Sequence, residues 1–153
     1  MSFRIRGLSP AQFAPLFALD DTALAERSMR RVAVDAPHSA PCRVTLEDAA
    51  PGERLLLLPF AHHVAHSPYR ASGPIFVREG GAPFDRIDEL PPVFGGRILS
   101  VRAYDADGLM TDADIVDSDP RGLFETFLAD PAVDFLHVHY ARRGCYSCLV
   151  ERA

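Results

Sequence analysis

Six histidines and three cysteines carry most of the chemistry open to this sequence. The histidines are His38, His62, His63, His66, His137 and His139. His137 and His139 are two apart, which on a strand puts both side chains on one face. His62 and His66 are four apart, the spacing of one face of a helical turn. Either spacing can chelate a metal. Cys145-Tyr146-Ser147-Cys148 is a CxxC, the pattern of a redox dithiol or of half a zinc site. The redox role wants the first Cys at a helix N-terminus, and here the pair reads as part of a returning strand. Three residues of strand rise about 10 Å, beyond the roughly 7 Å Cα limit for a disulfide. Cys145 and Cys148 are therefore predicted not to be bridged to each other. Cys42 is distant in sequence and no second CxxC exists to complete a zinc finger.

The constellation with most promise is the last hairpin. A three-residue loop, Arg142-Arg143-Gly144, with Gly144 left-handed, would set Ala141 against Cys145 and His139 against Ser147. Leu136, Val138 and Tyr140 would then face the core with Tyr146, Cys148 and Val150. His137, His139 and Cys145 would share the other face, with His62 or His66 arriving from the loop after a Leu55–Phe60 strand. Two imidazoles and a thiol can hold zinc or iron at about 2.0–2.3 Å, or set a base beside a nucleophile. A half-exposed sheet face with hydrogen-bonded histidines is the commoner use of such residues. A second candidate is the loop Ser67–Pro74. There Tyr69, Arg70 and Ser72 could hold a small anion through guanidinium, hydroxyl and backbone amides; the competing reading is a turn-rich connection in which Tyr69 packs.

Other patterns are excluded. Asp105-Ala106-Asp107-Gly108 has its Gly too early and no Glu at the twelfth position for a calcium loop. Gly80-Gly81 and Gly95-Gly96 open no dinucleotide fingerprint, and there is no GxSxG elbow. The chain has no Lys, which removes Schiff-base catalysis and the Walker phosphate loop.

The elements that must position these residues follow from pattern. Phe3 and Ile5 alternate with Arg4 and Arg6 as a short strand. Ser9-Pro10-Ala11-Gln12 has the form of a capping box, with Phe13, Leu16 and Phe17 as an apolar face and Pro15 shortening the helix. Asp21 could cap a second helix. From Val32 on, Pro recurs between β-rich runs: Arg43–Leu46, Leu55–Phe60, Pro74–Arg78 and Arg97–Tyr104. Leu55-Leu56-Leu57-Leu58 is apolar on both faces, as a central strand should be. Asp107-Gly108 marks a tight turn. Asp119-Pro120 opens the clearest helix, with Leu123, Phe124, Phe127 and Leu128 on one face and Asp130-Pro131 as its end. The sum is an α+β class: a mostly antiparallel, curved sheet or partial barrel flanked by two or three helices, in one domain over residues 1–153.

At 153 residues, 48% of them hydrophobic, such a domain needs no disulfide or metal to fold. A net charge of −5 argues against nucleic acid as the partner. No apolar run approaches a membrane span, and the N-terminal segment lacks a secretory core, so a reducing cytoplasm is expected.

Three stretches together resemble a known family: Pro41–Leu46 with Pro51-Gly52-Glu53, then Ser67–Arg70 running into Gly73–Glu79, then His137-Val138-His139 with Gly144-Cys145-Tyr146. In order and spacing they are similar to the bacterial domain-of-unknown-function 1203 family over nearly the whole chain. That resemblance implies a small bacterial single-domain protein and carries no activity with it. Three functions stay open: a metal-dependent or catalytic His/Cys protein, a non-catalytic module for a small anion, and a homodimeric interaction protein. Whether it is an enzyme is not decided by the residues.

Overall fold

The structure, a computed structural model, describes residues 1–153. Its strands form two antiparallel sheets. The larger has six strands: β1 (Phe3–Arg6), β5 (Asp85–Ile87), β6 (Ile98–Tyr104), β7 (Met110–Asp117), β8 (Phe135–Tyr140) and β9 (Tyr146–Arg152), ordered β5-β1-β9-β8-β6-β7. The smaller has β2 (Arg30–Ala33), β3 (Arg54–His63) and β4 (Ala71–Arg78), with β3 in the middle. Two α-helices, α1 (Asp21–Glu26) and α2 (Arg121–Ala129), and three short 3-10 turns complete the chain. The class is α+β and antiparallel as expected. The barrel is not found: β5 and β7 are free edges of an open sheet. No helix is long and apolar enough to cross a membrane.

Each face of the large sheet follows from the two-residue period of its strands. Leu99, Val101 and Ala103 of β6, Leu136 and Val138 of β8, Cys148 and Val150 of β9, and Phe3 and Ile5 of β1 all point to one side. Helix α2 covers them with Phe124, Phe127 and Leu128, and Phe124 meets Phe3 edge-on at 5.2 Å. The small sheet has its own core, where Leu56, Leu58, Ile75 and Val77 pack beneath Phe13 and Leu24. The opposite face of the large sheet looks toward the end of β3, and there the candidate residues gather.

Three local expectations are corrected. The segment after Ser9 forms 3-10 turns, Pro10–Gln12 and Ala14–Ala18, because Pro15 lacks the N–H a continuous helix needs. Asp20 caps α1 by accepting from Ala23 N at 2.8 Å, one residue before the expected Asp21. Arg43–Leu46 is not a strand. Cys42 N donates to Glu47 O and Leu46 N to Cys42 O, closing a tight loop with Leu46 at φ 51°. Its backbone link to β4 is a single bridge of Cys42 with Phe76, in which Arg43 N donates to Phe76 O at 3.0 Å.

That loop is pinned by Arg97, whose guanidinium donates to both carboxylate oxygens of Asp48 at 2.7 and 2.9 Å and also to Val93 O and His38 O. Burial alone would raise the Asp48 carboxyl, but the Arg97 hydrogen bonds and charge outweigh it and hold it below its ordinary range. A depressed carboxylate stabilises the fold above the unfolded value, about 4, and loses that contribution as pH falls through the lower folded value. Asp48→Asn should therefore lower the urea midpoint most near neutrality. The gap from the parent protein should close below about pH 4. A gap independent of pH would mean the ion pair contributes nothing.

Candidate functional site

The site begins with a β-bulge. In β3 the register steps between Ala61, opposite Ser72, and His63, opposite Ala71, so His62 is the extra residue. A bulge lets neighbouring side chains escape strict alternation. Both His62 and His63 accordingly reach the large sheet: the His62 ring lies 6.1 Å from His137 and 5.0 Å from His139, and the His63 ring lies 5.5 Å from His137. Strand β8 supplies His137 and His139 by its period of two, with ring centres 6.3 Å apart. His137 and His139 share a face as expected, while Cys145 does not join them and β3 runs three residues beyond Phe60. His62 and His66 are not on one helical turn, and His66 is exposed.

A second bulge reshapes the hairpin. His137 pairs with Leu149 and Val138 with Cys148, as expected, but His139 pairs with Tyr146 and not with Ser147. Gly144, at φ 78°, makes the left-handed turn, and Tyr140 N donates to Cys145 O. The step puts Tyr146 on the histidine face, where it stacks on His62 at 5.3 Å and 11°. Cys145 moves to the other face, packs against the large core and accepts an N–H from Arg43 at 3.2 Å. Ser147, fully buried, satisfies its hydroxyl by donating to Tyr140 Oη at 2.9 Å. All three cysteines are free. Of the predicted metal set, the structure brings together His62, His137 and His139, and leaves Cys145 and His66 outside.

The protonation of these rings can be read from their partners. His139 is 1% exposed, and its Nδ1 lies 3.0 Å from Gly144 O. A carbonyl can only accept, so Nδ1 carries the hydrogen and Nε2 presents a lone pair. That Nε2 is buried and has no partner, and the same holds for Nδ1 of His62 and Nδ1 of His137. Burial, then the neighbouring histidines and Arg102, hold His137 down to about 3. Burial also holds His139 down to about 4, against the Gly144 bond, which favours its charged form. Burial, then Arg102 and His63, lower His62. The rings are thus neutral near pH 7. His63 is spoken for: its Nε2 donates to Gly108 O at 2.9 Å, beside the Ser67 hydroxyl at 2.8 Å. Gly108, at φ 76°, permits this approach, since a Cβ there would lie 3.2 Å from His63 Nε2 and 2.4 Å from Ala65 Cβ.

The loop candidates all lie at the surface. Tyr69 is exposed and leans edge-on toward Tyr104 at 6.4 Å. Arg70 donates to Val64 O at 3.0 Å, and Ser72 lies exposed on β4. Ser72 lines a surface concavity of about 400 Å³ with Ser28, Arg30 and Pro59; it and two smaller ones, about 290 and 200 Å³, contain no histidine. Sequence reasoning missed His63, Arg102, Tyr104 and Tyr146 as neighbours of the cluster. Only the pairings of Arg102 with His137 and of Tyr104 with Phe135 could have announced two of them. No three His, Cys, Asp or Glu side chains already surround one point in the arrangement that holds a metal ion.

A family model described as a protein of unknown function, DUF1203, matches residues 39–152, well over half of the chain. The chain belongs to the DUF1203 family. The matched stretch runs from the Arg43 loop through β9 and so contains every member of the histidine cluster. No curated protein and no solved structure matches the chain.

Proposed function

We propose that the histidine cluster at the seam of the two sheets is a metal-binding site in which His62, His137 and His139 are the ligands. The observation that carries this reading is the His139 tautomer. Its Nδ1–H is fixed on Gly144 O, the outer-shell hydrogen bond that metal-ligating histidines make, and the buried Nε2 is left without a partner. Two further buried ring nitrogens, on His62 and His137, lack partners in the same cluster. A buried ring nitrogen without a partner is costly, and an ion would satisfy all three at once.

Spacing supports the same reading. Rings bonded to one ion at about 2.0–2.1 Å have centres roughly 5 Å apart, against 5.0, 6.1 and 6.3 Å here. Modest side-chain rotation of His137 would gather the donors. Imidazoles without thiolate or carboxylate suit zinc, iron, copper or nickel and not calcium or magnesium. Three protein ligands also leave a coordination position free, as catalytic sites do and structural zinc sites do not.

The test is elemental analysis of the protein purified without chelator, followed by titration of stripped protein with Zn(II) and Co(II). About one equivalent bound tighter than roughly 10 μM is expected. Binding weaker than that, or unaltered by loss of any of the three histidines, would overturn the proposal.

A further inference from the structure

The histidine face holds one positive charge without a counter-charge. Arg102 lies directly across the β6–β8 ladder from His137, and Ser100 directly across from His139. Residues so paired share a face, with Cβ atoms about 4.5–5.5 Å apart. Arg102 is half-buried; its Nε donates to Ser100 Oγ at 3.4 Å and its guanidinium also reaches the Tyr104 hydroxyl. It makes no ion pair, whereas Arg4, Arg78 and Arg97 are matched to Asp85, to Glu47 and Glu53, and to Asp48.

No carboxylate shares this face near Arg102. The neighbouring strand β7 sets Ala113 opposite Arg102 and Ile115 opposite Ser100. Its aspartates, Asp112 and Asp114, lie opposite Ala103 and Val101, on the other side of the sheet, where each accepts an adjacent backbone amide. The face therefore combines one guanidinium with three neutral imidazoles, two of them nine-tenths or more buried with an unpartnered nitrogen.

We infer that this face takes a small carboxylate, with half-buried Arg102 as the group that binds it beside the metal. The inference rests on the metal reading above. A carboxylate fits better than a phosphate because one guanidinium fork matches its two oxygens. A phosphate dianion would want further donors, and the amides of β6 and β8 are already committed to the ladder. Tyr104, Phe135 and Tyr146 pack around His137 and give the face an apolar surround.

The experiment titrates Co(II)-loaded protein with sodium acetate, and separately with sodium phosphate, at fixed ionic strength, reading the cobalt absorption bands. Metal-free protein is titrated in parallel, reading the histidine ring protons by NMR. Acetate should saturate. Arg102→Gln should weaken acetate at least about tenfold while leaving Co(II) affinity within about twofold. Arg102→Lys, which keeps the charge and loses the fork, should fall between, and it decides the matter alone if the Gln variant does not fold. Acetate binding equal in parent and variant, no saturable acetate response on cobalt-loaded protein, or phosphate outcompeting acetate would overturn the inference while leaving the metal site standing. Failure to bind Co(II), with acetate still shifting the histidine protons of parent but not variant, would overturn the metal reading and spare the anion. Silence in both arms would overturn both.

Discussion

Arg43→Ala should cost this protein about 3–5 kcal/mol of stability, the range for leaving buried polar partners stranded. Arg43 is 1% exposed and has no carboxylate partner. Its charge is met instead by backbone oxygen, sulfur and a ring: Nε donates to Tyr146 O at 2.6 Å, one terminal nitrogen to Pro41 O, the other to Cys145 Sγ at 3.2 Å. The guanidinium also sits 5.0 Å from the centre of the Tyr140 ring, while Arg97 lies 5.3 Å from the same centre. Truncation would strand two buried carbonyls and open a cavity, each worth about 1–3 kcal/mol or more. Against this stands the relief of no longer burying a charge, which is why a filled, uncharged site can be tolerated. Arg43→Met should therefore be clearly milder than Arg43→Ala. Urea unfolding followed by circular dichroism measures both. An alanine variant within about 1 kcal/mol of the parent would show that Arg43 does not pin the hairpin.

The second large effect is on metal affinity. Losing an outer-shell partner of a ligand costs about 10–100-fold, so losing a ligand itself should cost at least about 100-fold. His62→Ala, His137→Ala and His139→Ala should each show that loss in a Zn(II) competition titration. His66→Ala and Cys145→Ser should bind as the parent does, because His66 is exposed and Cys145 faces the other core. His63→Ala separates geometry from ligation. Its ring is anchored on Gly108 O, so its removal should loosen the β3 end and weaken binding only modestly. Full loss with His63→Ala, or retention with His139→Ala, would reassign the ligand set.

Much of the scaffold is readable from residue pattern. Period-two alternation is local, and it correctly puts His137 and His139 on one face and Leu136 and Val138 on the other. The α2 helix is announced by Asp119-Pro120 and its Phe124, Phe127 and Leu128 stripe. What pattern cannot supply is the pair of bulges. Each inserts one residue into a ladder, at His62 and at Ser147, and each is held by contacts from distant segments: the Gly108 turn against His63, and Tyr140 Oη receiving the Ser147 hydroxyl. One extra residue exchanged Tyr146 for Cys145 on the site face. Arg43 was likewise invisible as a buried residue, because an Arg in a β-rich run reads as solvent-facing until its acceptors at Tyr146 and Pro41 are known.

The histidines come from both sheets, His62 from the small one and His137 and His139 from the large. Those sheets share no ladder. Across this seam rings meet, Phe60 and His62 against Tyr146 and His63 against Tyr104 and Phe135, with the hydrogen bonds of His63 and Ser67 to Gly108 O beside them. An occupant held from both sides is therefore a clasp, and prising the halves apart means releasing it. Occupancy and cohesion become one equilibrium. A ligand at a hundred times its dissociation constant adds about 2.7 kcal/mol to whatever unfolding requires opening the seam. Any such occupant should therefore raise the melting temperature, and candidate ions and acids can be ranked by that rise without knowing what reaction, if any, follows their capture.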